Sequence, residues 1–260
     1  MTRVWRAHLP EYASEALALG IFMVSACGFS VLLFHPLSPL LEAIPSGLAR
    51  RALMGLAMAL TFVGNVYSPW GRRSGTHMNP AVTLTFWQLG KVSRPDLYGY
   101  IAGQFIGGLM GTALAALLFM PWIADPAVNY AVTVPGVSVS AALLAELALA
   151  ALMMFTVRTI SSHPRLTHYT GLFAAGLVAA YITFESPISG MSLNPARTVG
   201  SAALAHVWTA WWIYFLAPTI GMGLGALLHS RLSSRDACAK LLHDGRYRCI
   251  FCQHSLAVSR

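Results

Sequence analysis

Six long apolar runs, separated by short polar connections, dominate the chain. They cover roughly Tyr12–Phe34, Arg51–Tyr67, Leu97–Met120, Val139–Arg158, His168–Thr183 and Val207–Leu228. Each approaches the ~20 mainly apolar residues that a helix needs to cross a bilayer. Lipid offers no partners to backbone N–H and C=O groups, so a crossing segment is a helix or part of a closed barrel. These runs are continuous rather than alternating and rich in Ala, Leu, Gly and Met, which decides for helices. Two more apolar stretches, Pro80–Leu89 and Pro195–His206, are too short to span. Each opens on a proline, follows a Gly/Ser-rich turn and lies between full spans, the pattern of a re-entrant half-helix.

Composition supports lipid as the solvent. Of 260 residues, 56% are hydrophobic and 10% charged, against about 25% charged in soluble domains. The net charge of +8 is no nucleic-acid signature, because the basic residues sit in connections and tails. Arg3, Arg6, Arg72, Arg73, Lys91, Arg94, Arg158, Arg165, Arg231, Arg235, Lys240, Arg246, Arg248 and Arg260 fall on one side of a six-span arrangement. That side is predicted to be cytoplasmic, with both termini on it. Arg50, Arg51 and Arg197 are the exceptions. The first apolar run is too long for a signal peptide and is read as a retained helix. Four cysteines, one in the first run and three in the tail, do not form a secreted disulfide framework.

The chain also repeats itself. Glu15 and Glu146 sit early in spans one and four, and Asn79-Pro80-Ala81 and Asn194-Pro195-Ala196 open the two half-helices. Gln104 follows Asn79 at nearly the distance by which Pro218 follows Asn194. Three spans per repeat is an odd number, so the second repeat crosses in the opposite sense. Inverted repeats bring their broken helices face to face near the midplane. The expected organisation is a tail over residues 1–12, a channel domain over 13–229 with repeats at about 13–120 and 139–229, and a basic Cys/His-containing tail over 230–260.

Each helix N-terminus carries about half a positive elementary charge. Two of them meeting at the midplane make an electrostatic hump that a cation or proton must climb and a neutral dipole need not. Asn79 and Asn194 supply neutral N–H donors at that apex. The backbone before each motif, Gly75, Thr76, His77, Met78 and Gly190, Met191, Ser192, Leu193, is expected to line the pore with carbonyls. Arg197, directly after the second motif, is costly at membrane depth and therefore functional by default.

Ser-Gly-Thr-His-Met-Asn-Pro-Ala-Val-Thr at 74–83 and Ser-Gly-Met-Ser-Leu-Asn-Pro-Ala-Arg-Thr at 189–198 resemble the two signatures of the aquaporin, or major intrinsic protein, family. The resemblance covers about Glu11 to His229. It implies an all-α membrane protein with six transmembrane helices and two re-entrant half-helices, one pore per subunit and a homotetramer. It also implies that Glu15 and Glu146 accept hydrogen bonds from the loops feeding the half-helices. Arg197, Met191 and Ile182 match positions of the family's narrow selectivity region. Water-selective members usually have His where Ile182 stands and an aromatic in span two, where Met54, Met58 and Ala59 are the candidates. Glycerol facilitators usually have Asp where Thr198 stands. The chain fits neither pattern.

Other readings stand beside these. The asparagines could only cap their helices. Arg197 could anchor a helix end by snorkelling. The two glutamates could relay protons, His77 could gate by protonation, and Met191 and Ile182 could be packing. In the tail, Cys238, His243, Cys249, Cys252 and His254 could bind zinc or be reduced thiols. No metal and no cofactor is the expectation. The function expected is a passive channel for water and small uncharged solutes in the lipid bilayer, with glycerol as an alternative main solute. A secondary transporter is a weaker reading, for which Glu185 is the further carboxylate, and an enzyme weaker still. Short tails and compact loops point to a bacterial inner membrane.

Overall fold

The computed structural model describes residues 2–233, 235, 237–243 and 247–252. Arg246, His254 and Arg260 lie outside the described residues. The helices run α1 (Thr2–Phe34), α2 (Pro39–Ala43), α3 (Gly47–Tyr67), α4 (Pro69–Ser74), α5 (Pro80–Gln88) and α6 (Arg94–Phe119) in the first half. The second half has α7 (Val139–Ser161), α8 (Thr170–Phe184), α9 (Ser186–Ser189), α10 (Pro195–Ala205) and α11 (Ile213–Leu232). Serine hydroxyls start five of them: Ser38, Ser46, Ser68, Ser93 and Ser138 each accept a backbone N–H of the first turn. The half-helices α5 and α10 open on Pro80 and Pro195 as expected, with Asn79 and Asn194 as their caps.

The two halves pack alike. α1 lies along α6 as α7 lies along α11, α3 pairs with α8, and each half-helix packs on the other half's last helix, α10 on α6 and α5 on α11. Small residues let the backbones close up. A Cβ on Gly108 would lie 2.5 Å from the Ala196 carbonyl oxygen, and one on Gly200 would lie 2.5 Å from that of Gly108. The outer surface carries exposed Leu17, Leu53, Leu56, Leu60, Ile106, Leu114, Leu117, Leu144 and Leu224. Such a belt belongs against lipid, and the chain is an integral, multi-pass membrane protein.

Several boundaries differ from the sequence expectation. Residues 2–12, read from the sequence as a tail, are helical and form the start of the 33-residue α1. Polar side chains hold them to the beginning of α6: Trp5 Nε1 donates to the Pro95 carbonyl at 3.1 Å, His8 Nδ1 lies 2.6 Å from Asp96 Oδ1, and the Tyr12 hydroxyl donates to the same oxygen at 2.8 Å. Among the described residues, five helices have at least 20 residues and are apolar enough to cross a membrane. The sixth span, α8, has only 15 residues, about 22 Å of rise against a hydrocarbon core of about 30 Å. A 3-10 turn over Thr167–Tyr169 precedes it and α9 follows it. The last span begins at Ile213 rather than Val207, because His206 and Ala210 take left-handed backbone and break the segment into turns.

Two of the three arginines outside the charge rule, Arg50 and Arg51, have backbone partners. Arg50 Nη1 donates to the Ile44 and Pro45 carbonyls at 2.6 and 3.1 Å, tying down the α2–α3 connection. Arg51 Nε donates to the Thr183 carbonyl at 3.1 Å, at the exposed end of α8.

Candidate pore

Gly75 and Gly190, at φ 97° and 84°, end α4 and α9 in the left-handed conformation that favours glycine. The backbone then stays unusual at residues that do have a Cβ. Thr76 and Met78 in one loop, and Met191 and Leu193 in the other, have φ between 48° and 58°. Each such residue costs about 1–3 kcal/mol and needs surroundings that impose it.

Two buried carboxylates impose it. Glu15 Oε1 accepts from the Ser74 hydroxyl at 2.7 Å and from His77 N at 3.0 Å; its Oε2 accepts from Met78 N at 2.6 Å and Gln104 Nε2 at 2.8 Å. Glu146 Oε1 accepts from the Ser189 hydroxyl and Ser192 N, and its Oε2 from Leu193 N, all at 2.7 Å. Both glutamates are 0% exposed. A tyrosine completes each clamp: Tyr100 and Tyr214 donate their hydroxyls to the Ser74 and Ser189 carbonyls.

The loops meet at their asparagines. Asn79 Oδ1 accepts from Ala81 N at 2.9 Å, while its Nδ2 donates to the Leu193 carbonyl at 2.7 Å. Asn194 mirrors this: its Oδ1 accepts from Ala196 N at 3.0 Å and Arg197 N at 3.3 Å, and its Nδ2 donates to the Met78 carbonyl at 2.7 Å. Each carboxamide thus caps its own helix and fastens the opposite loop. One N–H of each NH2 group is spent on that fastening, which leaves the second for the cavity.

A cavity of about 270 Å³ lies against this apex. Its wall includes Thr76, His77, Met78, Asn79, Gly190, Met191, Ser192, Leu193, Asn194, Arg197 and Ile182. Arg197 Nη1 is buried without a protein partner among the described residues. An inverted, doubly capped loop pair against one shared cavity is the geometry the repeat calls for, and the comparison with known families agrees. The major intrinsic protein family model matches residues 2–229. The chain belongs to the major intrinsic protein family.

Relatives and neighbours are consistent with that membership. A probable NIP-type aquaporin from Nicotiana alata is 35% identical over 167 residues, covering 64% of this chain and 60% of that protein. Aquaporin AqpM from Methanothermobacter thermautotrophicus is 32% identical over 200 residues, covering 72% of this chain and 79% of that protein. The chain thus spans less than two thirds of the plant relative's length. The X-ray structure of the aquaglyceroporin from Plasmodium falciparum superposes with a TM-score of 0.71 at 18% identity, covering 86% of this chain and 96% of that one. At that identity the likeness concerns the fold.

The family frame sorts the individual residues. Pro80, Ala81, Pro195 and Ala196 are buried in the first turns of α5 and α10 and are absent from the cavity wall. Gly75 is also absent from it; its Cα faces Lys240 of the tail. Of the span-two candidates, Met54 and Met58 reach the cavity and Ala59 does not. Phe22, Phe34, Phe62 and Arg51 also line it, although the sequence marked none of them as a pore residue. Tyr100 and Tyr214 were also missed, although their spacing from Ser74 and Ser189, within one residue of equal, was a signal of the repeat.

Proposed function

We propose that this chain is a passive channel that conducts water and small uncharged solutes and holds back protons and ions. The observation that carries the reading is the asparagine apex. Two half-helix N-termini aim their positive ends at one level of the cavity, and Asn79 and Asn194 each keep one N–H for a passing molecule. A water whose oxygen accepts at this level is turned away from donating along the file, so a proton meets both a broken wire and a positive field. The free Arg197 Nη1 supports a second filter, donating to neutral solutes and repelling cations.

Solute choice follows from the wall. Met54, Met58, Met191 and Ile182 give an adaptable apolar lining beside Arg197. That lining supports passage of solutes with a carbon skeleton, glycerol among them, alongside water. The names of the relatives accord with this: aquaporins by sequence, an aquaglyceroporin by fold. The charge distribution supports both termini on the cytoplasmic side, and we take the assembly to be a homotetramer in a bacterial inner membrane.

Stopped-flow light scattering on proteoliposomes, with water and glycerol gradients in parallel, tests the function. The expected result is water flux well above that of empty vesicles, with measurable glycerol flux and no dependence on a proton or sodium gradient. A flux that follows either ion gradient would overturn the reading in favour of a transporter.

A further inference from the structure

The chain beyond α11 turns back onto the protein. Ala239, Leu241 and Cys249 are buried. Four side chains of this segment converge: the ligand atoms of Cys238, His243, Cys249 and Cys252 all lie within 4.8 Å of one another. Cys238 Sγ is 3.6 Å from Cys249 Sγ, and His243 Nε2 is 3.2 Å from Cys252 Sγ. A tetrahedral zinc ion, with Zn–S of ~2.3 Å and Zn–N of ~2.0–2.1 Å, sets its ligand atoms about 3.5–3.8 Å apart. The cluster is therefore at the size of a zinc tetrahedron. Its sulfurs are too far apart for a disulfide, where they would be about 2.05 Å apart, and its three thiols are free. Three cysteines and one histidine with no open position is a structural zinc set. Soft thiolates disfavour magnesium and calcium. A segment this short has no core of its own, so an ion at its centre supplies the cross-link that fixes its shape.

What that shape does is set by its contacts. His77 Nε2 donates to the Ala239 carbonyl at 2.8 Å, which leaves Nδ1 as an acceptor 3.0 Å from the Thr83 hydroxyl. Phe251 stacks flat on the His77 ring at 5.6 Å. Leu241 is one wall of the pore cavity and packs with Val66, Val157 and Ala174 of three channel helices. The ligands thus come in two pairs, each beside a contact to the pore loop or the pore mouth. Ala239 and Leu241 lie between Cys238 and His243, and Phe251 lies between Cys249 and Cys252.

We propose that Cys238, His243, Cys249 and Cys252 bind one zinc ion that folds the tail into a plug, holding Leu241 in the tail-side mouth, so that zinc-loaded protein conducts less than zinc-free protein. The conductance half rests on the channel reading above; the zinc half does not.

The test uses full-length reduced protein. Metal content by plasma mass spectrometry after dialysis in metal-free buffer is expected to give one zinc per chain. Exchange for cobalt should produce the absorption of a tetrahedral thiolate site. Cys252→Ser, at an exposed position, should lose the metal without loss of folding. In proteoliposomes, a membrane-permeant chelator should raise the water flux of the wild type several-fold. Cys252→Ser should already conduct at that higher rate. Leu241→Ala should keep its zinc and conduct at that rate with or without chelator. Absence of stoichiometric zinc, or a Cys238–Cys249 disulfide in the protein as isolated, would overturn the site. Zinc bound with identical flux before and after chelation would overturn the plug. A chain that carries neither water nor glycerol with or without zinc would sink the channel reading and the plug together, while the zinc count still decides the site.

Discussion

The two half-loops are built to one plan and then made different. Residues 74–79 and 189–194 share a serine, a left-handed glycine, two further left-handed residues, a buried glutamate, a clamping tyrosine and a capping asparagine. They diverge where they meet the rest of the chain. His77, the first loop's counterpart of Ser192, reaches the tail, whereas the Ser192 hydroxyl bonds to its own loop and to the Thr198 hydroxyl. Val82 stands at the position that Arg197 occupies after the second motif. Gln104 adds a donor to Glu15 where the second repeat has Pro218. What is shared holds the strained backbone. What differs is where the two proposals sit, a filter at one mouth and a cover at the other.

The largest effect should come from removing what is shared. Glu15→Ala would strand four donors and Glu146→Ala three. Each buried unsatisfied donor costs about 1–3 kcal/mol, enough together to consume a typical folding free energy of 5–15 kcal/mol. Neither variant should yield a monodisperse peak in size-exclusion chromatography. If Glu146→Ala folded and Glu15→Ala did not, the two clamps would differ in weight more than their geometry suggests.

These carboxylates were legible in the sequence because the repeat doubled them; a single buried glutamate would have looked like a proton carrier. The half-helices were equally plain, since Asn-Pro opens each and the apolar stretch is too short to cross. The start of α1 was hidden because residues 2–12 carry arginines, histidine and Pro10, and their helix depends on contacts to Pro95 and Asp96 about ninety residues away. The cavity wall was only partly legible. Phe22, Phe34 and Phe62 sit in ordinary apolar runs, where nothing separates a pore-facing ring from a lipid-facing one. The tail contacts, Ala239 to His77 and Leu241 to α3, α7 and α8, leave no periodic trace at all.

An intermediate effect should follow from charging the apex. Asn79→Asp and Asn194→Asp each place an anion where two half-helix dipoles point. A barrier lowered by about 1.4 kcal/mol raises the rate about tenfold, so proton leak into vesicles loaded with a pH dye should rise by about that factor. The two variants should behave alike, because the apex is the most symmetric part of the pair; a leak confined to one would break the comparison there.

The smallest effect should appear at the positions that differ. Arg197→Ala should raise the glycerol-to-water flux ratio a few-fold by removing a donor and widening its mouth. Val82→Ala, at the matching place on the other side, should leave that ratio unchanged. Both ratios come from the same paired stopped-flow traces.

The backbone contact of Gly108 with Ala196 and Gly200 has a consequence for kinetics. It joins a helix of one repeat to the half-helix of the other with no side chain between them, so the halves have no lubricating layer on which to tilt. A machine that must rock to open alternately inward and outward needs such a layer, and its throughput saturates at the rate of rocking. Without it the two repeats do not exchange access between the sides by rocking, and only the position of the tail opens or covers one mouth. Flux should then grow in proportion to the driving gradient, with no plateau, and rise with temperature about as weakly as diffusion in bulk solvent.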